Sequence, residues 1–150
     1  MTDQPGIPPP EFELRQLSVA AVLGLWDQLY PWVEQVRRKT RAPWRAEDVY
    51  VELKEHRAIS YLPILNGNPV GLLVLVDQTD PITRHRKLAM WIAYSTHPAA
   101  VDLTLDRVEA MAKQAGFFSV SGMSPRKGWL RKLRARGYNL VAYHFEKRVT

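Results

Sequence analysis

The chain of 150 residues contains no cysteine. That excludes disulfides, thiolate nucleophiles and cysteine-held zinc or iron–sulfur centres, and it removes redox usage as a guide to compartment. No apolar run approaches the ~20 residues that a membrane-spanning helix needs. The opening segment MTDQPGIPPP has neither the basic residues nor the apolar stretch of a secretory leader, so the expected compartment is the cytoplasm. Histidine is scarce and scattered: His56, His85, His97 and His144 share no short ligand spacing, and no metal site is expected. GNPVG, residues 67 to 71, precedes an apolar run rather than a helix, which makes it a hairpin turn and not a phosphate loop. Ser95, His97 and Asp102 lie close in sequence, but no nucleophile-elbow pattern surrounds them.

What is present describes one globular domain. With 46% hydrophobic, 10% aromatic and 24% charged residues, the chain is too apolar for disorder and long enough to bury a core without staples. A net charge of +6, from 21 basic and 15 acidic residues, favours anionic partners. Pro5, Pro8, Pro9 and Pro10 predict an extended arm over residues 1–10, followed by a single domain over 11–150.

EFELRQL alternates and predicts a first strand. Ser18 is placed to cap a helix with Val19, Val22, Leu23, Trp26 and Leu29 on one face, and Pro31 is expected to kink or end it and open a second short helix. RAEDVYVELKEHR supplies a further helical segment. Two apolar runs flank Asn66-Gly67, a strong hairpin signal. KLAMWIAYS reads as a strand, and a helix follows from about Pro98 to Gly116. FFSVSGMS is then a strand, PRKGWLRKLRARG a basic helix and YNLVAYHFEKRV a last long strand. The expected class is α/β, in the order β-α-α-β-β-β-α-β-α-β, with a mixed central sheet flanked by helices.

That order resembles the GNAT family of N-acetyltransferases over about residues 57–149. AMAKQAGF (110–117) looks like the end of the family's main helix, and LRKLRARGY (130–138) like the helix entering its glycine-aromatic turn. SPRKGWLRKLRARGYNLVAYHFEK is also similar to the closing segments of small acetyltransferase-like proteins of tailed bacteriophages. The resemblance implies acetyl-CoA as cofactor, with its pyrophosphate held by backbone N–H groups at the start of the main helix. The matching segment is THPAAV, so Thr96, His97, Ala99, Ala100 and Val101 become the candidate cofactor residues. Alanines and a valine stand where the family has glycines, and Pro98 removes a donor.

The resemblance further implies a proton acceptor and a proton donor for amine acetylation. KLAMWIAYS carries no carboxylate, and Leu133 stands four residues before Gly137, where the family has a tyrosine. His97 and Tyr94 are therefore the candidate catalytic residues, acting on a small-molecule or protein amine. The basic helix brings Arg126, Lys127, Arg131, Arg134 and Arg136 around Trp129, and RRKTRAPWR groups further bases with Trp44. Such stretches are a solvated face, a contact for a cofactor or protein partner, or a surface for nucleic acid. Two functions follow: an acetyl-CoA-dependent N-acetyltransferase with a degenerate loop, or a non-catalytic protein of the same fold, acting as a phage virion or assembly component through its basic surface and arm.

Overall fold

A computed structural model describes residue 6 and residues 8 to 150; most of the expected proline-rich arm, residues 1–5 and 7, lies outside the described residues. The elements run β1 (Phe12–Gln16), α1 (Val19–Thr40), α2 (Ala46–Lys54), β2 (Ile59–Leu65), β3 (Asn68–Pro69), β4 (Gly71–Thr79), β5 (Arg86–Ser95), α3 (Pro98–Gln114), β6 (Ser119–Gly122) and α4 (Lys127–Ala135). The sheet order is β1-β2-β4-β5-β6, with β3 paired to β2. Every pairing is antiparallel except β5 with β6, which gives the mixed α/β sheet expected from the alternation of strands and helices.

β4 reads GLLVLV without alternation because both of its faces are covered. Leu72 and Val74 turn toward α1 and α2, where they meet Val22, Leu29, Val33 and Val49. Leu73 and Leu75 turn the other way, onto Leu105, Val108 and Ala112 of α3. Among the described residues, no helix is long and apolar enough to cross a membrane.

Local signals behave as their chemistry dictates. Ser18 caps α1, its hydroxyl accepting from the Ala21 N–H at 3.1 Å. Asn66 and Gly67 both take positive φ, 50° and 81°, as a tight two-residue hairpin turn requires. Gly116, at φ 77°, follows the end of α3.

Two expectations fail. Helix α1 runs unbroken through Pro31. The ring is exposed, and buried Leu29 and Val33 on either side anchor the helix to the sheet. That packing outweighs the roughly 3 kcal/mol that an interior proline costs. The long last strand is also absent: residues 138–150 form neither helix nor strand. Their alternating apolar pattern has no paired neighbour, and a strand without one is not stable.

The feature that positions the candidate site is an irregularity in β5. Val74 pairs with Ile92 and Leu75 with Met90, so Trp91 is an extra residue opposite β4. As a result Met90 faces α3 while Trp91 and Ile92 both pack on the α1/α2 side. Near this bulge the backbones come very close, and a Cβ at Gly71 would collide with the Tyr94 carbonyl oxygen. Gly71→Ala is expected to destabilise the fold by about 1–3 kcal/mol, seen as a lower urea midpoint with unchanged slope. A wild-type midpoint would show that the two strands are not held this close.

Candidate functional site

β6 pairs with β5 only from Lys87 to Met90. Past the Trp91 bulge β5 continues to Ser95, still bonded to β4 on one side. Among the described residues no strand pairs with the other side of Trp91–Ser95. The two parallel strands therefore part, and the side of Trp91–Ser95 that faces away from β4 is left without a strand partner at an internal sheet edge. Below this opening lies an apolar cleft of about 330 Å³, counting space open to solvent. Met90 and Ala93 form one wall, Val101 and Leu105 of α3 a second, and Trp129 of α4 closes it. An extended ligand that carries amides along an apolar arm suits such a place: backbone groups satisfy the amides and the cleft takes the arm.

The start of α3 stands at the end of the opening. From Thr96 to Ala100 every N–H group already has a partner. Thr96 N–H donates to the Val70 carbonyl (2.7 Å), and His97 N–H to Ser95 Oγ (3.2 Å). Pro98 has none to give. Ala99 N–H donates to His97 Nδ1 (3.2 Å), and Ala100 N–H to the His97 carbonyl (3.1 Å). His97 itself is thus the N-cap of α3. Ser95 instead donates its hydroxyl proton to the His97 carbonyl at 2.8 Å. Because Nδ1 accepts from Ala99, a neutral imidazole here carries its proton on Nε2. With Nδ1 so occupied, the imidazole has no free acceptor and serves here as a cap.

The other candidates divide. The Ala100 side chain is fully buried against Leu65 and Val70, so that residue could offer a ligand its backbone alone. Val101 lines the cleft, and Ala99 is exposed. Tyr94 also borders the cleft, and its hydroxyl donates to Gln35 Oε1 of α1 at 2.8 Å while its ring lies 5.6 Å from Trp32. Gln35 is 59 residues away in sequence, and no motif marks it. Trp129 points inward, away from the bases that surround it in sequence.

Arg136, grouped with the surface bases by sequence, is turned onto α3. It forms ion pairs with Asp102, Asp106 and Glu109, and its side chain is only 18% exposed. Lys132 joins the set at 2.7 Å from Asp102, and the Tyr138 hydroxyl donates to Glu109 at 3.0 Å. Burial pushes the Tyr138 phenol above its ordinary range, and the hydrogen bond to Glu109 adds to that. This network fixes α4, and with it Trp129, over the cleft. Arg126, Lys127, Arg131 and Arg134 remain exposed.

No protein-family model matches the chain, and no curated protein does. Solved structures do. A probable acetyltransferase superposes with a TM-score of 0.69 at 12% identity, over 92% of this chain and 98% of its own. The ribosomal-protein-alanine N-acetyltransferase of Brucella melitensis biovar Abortus 2308 gives 0.69 at 18%, over 93% and 100%. AAC(6')-Iy, in complex with the bisubstrate analog CoA-S-monomethyl-acetylneamine, gives 0.64 at 14%, over 93% and 99%. The chain therefore has the GNAT acetyltransferase fold.

The network that holds α4 has a pH signature. The hydrogen bond from Lys132, aided by Arg136, holds the Asp102 carboxyl below its usual value of 3.8. Stability from a depressed carboxyl is present above that value and is lost as pH falls through the lowered one. Asp102 is half exposed, so the effect is below about 1 kcal/mol. Urea unfolding at about pH 3 and pH 7 should show a smaller pH dependence in Asp102→Asn than in wild type. Equal dependence in both would remove Asp102 from the clamp.

Proposed function

We propose that the chain is an acetyl-CoA-dependent N-acetyltransferase that holds its cofactor chiefly along the open edge of β5. The parting of β5 and β6 beyond Met90 carries this reading. The site fits the amide-bearing arm of the cofactor well: a free strand edge is backed by Ala93, Val101, Leu105 and Trp129. Trp129 shields the arm from water. The fit to the pyrophosphate is poorer, because a phosphate must take the Ala99 N–H from the His97 imidazole. His97 then acts as a placeholder cap that yields its donor on binding.

When bound, the cofactor supplies an activated acetyl thioester for transfer to an amine. Tyr94 borders the opening and is held by Gln35; its phenol, on giving up that hydrogen bond, is the proton donor of this proposal. The acceptor is a small-molecule or protein amine. Aminoglycosides are acceptors by name for two of the structural neighbours.

A second reading has its own observation. Every N–H from Thr96 to Ala100 has a partner within the chain, and Arg126, Lys127, Arg131 and Arg134 form an exposed basic face. On that reading the protein is a non-catalytic scaffold of the same fold, joined to a virion or another assembly.

His97→Asp separates the two. Aspartate caps α3 as well as histidine does, yet its fixed carboxylate meets the phosphate. Under the enzyme reading, calorimetric affinity for acetyl-CoA falls at least about tenfold, or 1.4 kcal/mol, at an unchanged melting temperature. His97→Ala, which frees the Ala99 N–H, binds at least as well as wild type. Absence of acetyl-CoA binding in wild type supports the scaffold.

A further inference from the structure

The bases of RRKTRAPWR, residues 37–45, take no part in the cofactor cleft, yet the fold places them beside Tyr94. Gln35, which accepts from the Tyr94 hydroxyl, and Trp32, whose ring lies 5.6 Å from that of Tyr94, stand one turn apart on α1. Arg38 and Lys39 follow Gln35 by three and four residues, so helical spacing sets them on the same face, one turn farther on. The chain then bends back to β5: Arg41 closes α1 at φ 52°, and Trp44 packs on Trp91 with ring centroids 5.7 Å apart. The last turn of α1 and the connector to α2 thus border the Tyr94 hydroxyl.

The charge of that border has one sign. Residues 35–45, QVRRKTRAPWR, include no Asp or Glu. Two of their bases are matched from outside the stretch, Arg37 by Glu34 at 2.7 Å and Arg45 by Asp48 at 3.7 Å. Arg38, Lys39 and Arg41 are exposed and, among the described residues, form no ion pair. The helix dipole accounts for a base in the last turn. It does not account for three neighbouring bases that repel one another with no acid between them. No carboxylate lines the cleft on the other side of Tyr94 either.

We propose that the acceptor is an amine on an anionic carrier, whose negative group is held by Arg38, Lys39 and Arg41 while its nitrogen reaches Tyr94. The inference rests on the acetyltransferase reading above and names its substrate class. An acceptor bearing a carboxylate or phosphate makes charge pairs along this border and is steered toward it. A polycation such as an aminoglycoside meets repulsion at the same place, so the border selects against it as well as for the anion.

The test offers the full chain four amines: an alanyl tetrapeptide with two glutamates, the same peptide with two arginines, phosphoethanolamine and kanamycin. Thiol release from acetyl-CoA reports acetylation, and calorimetry reports binding of each amine to the protein loaded with CoA. The glutamate peptide or phosphoethanolamine should bind and react at least about tenfold better than the arginine peptide and kanamycin, an advantage that shrinks with added salt. Whichever of the two leads identifies the carrier as a peptide or a small phosphate. Arg38→Glu with Lys39→Glu should reverse the preference at unchanged melting temperature and acetyl-CoA affinity, and Arg38→Gln with Lys39→Gln should abolish it. Equal use of the four amines, a wild-type preference for kanamycin or the arginine peptide, or an unaltered preference in the variants overturns the proposal and leaves the acetyltransferase reading standing. If no amine binds or reacts the proposal falls; if acetyl-CoA itself does not bind, the acetyltransferase reading falls with it.

Discussion

One extra residue in β5 governs the arrangement of the candidate site. With Trp91 unmatched opposite β4, the side-chain alternation of β5 shifts and the strand turns away from β6. Parallel pairing ends at Met90 and Gly122. Beyond that point no strand among the described residues pairs with the side of Trp91–Ser95 that faces away from β4. The close approach at Gly71 and the packing of Trp91 against Trp44, with ring centroids 5.7 Å apart, belong to the same local geometry. A core that packs on both faces of β4 makes this strain tolerable.

Around that opening, two parts of the chain answer different demands. The start of α3 is internally complete: the imidazole of His97 and the hydroxyl of Ser95 take the roles that a bound anion or water would otherwise play. α4 is held in place by charge, through Lys132 and Arg136 on the carboxylates of α3. Arg136 is the strongest member because it is the most shielded from water and its planar guanidinium reaches three acids. The cleft is thus roofed by a helix whose outer face stays basic and whose inner face carries Trp129.

Much of the architecture could be read from local chemistry. Ser18, Asn66-Gly67, the continuous apolar run of β4, Pro98 and Gly116 each mark a boundary by a mechanism confined to a few residues, and each stands where expected. What stayed hidden depends on partners remote in sequence. The Trp91 bulge is a matter of register between two strands, and the tie from Tyr94 to Gln35 spans 59 residues. His97 stood among the candidate bases, but the lone pair that chemistry would need is taken by a neighbouring N–H. Arg136 reads as one more surface base until α3 is packed beside it. Pro31 and the closing segment fail in opposite directions. Tertiary burial overrides a local helix breaker in the first case, and a correct strand pattern lacks its second strand in the other.

The proposed role of the unpaired side of β5 is that of a ligand-binding strand. Backbone hydrogen exchange of the wild-type protein with and without acetyl-CoA tests it most directly. A cofactor bound there slows exchange within Trp91–Ser95 and at Ala99 and leaves the amides of Lys87–Met90 unchanged. Unaltered exchange across Trp91–Ser95 at saturating cofactor would contradict it, whatever the effect elsewhere on the chain.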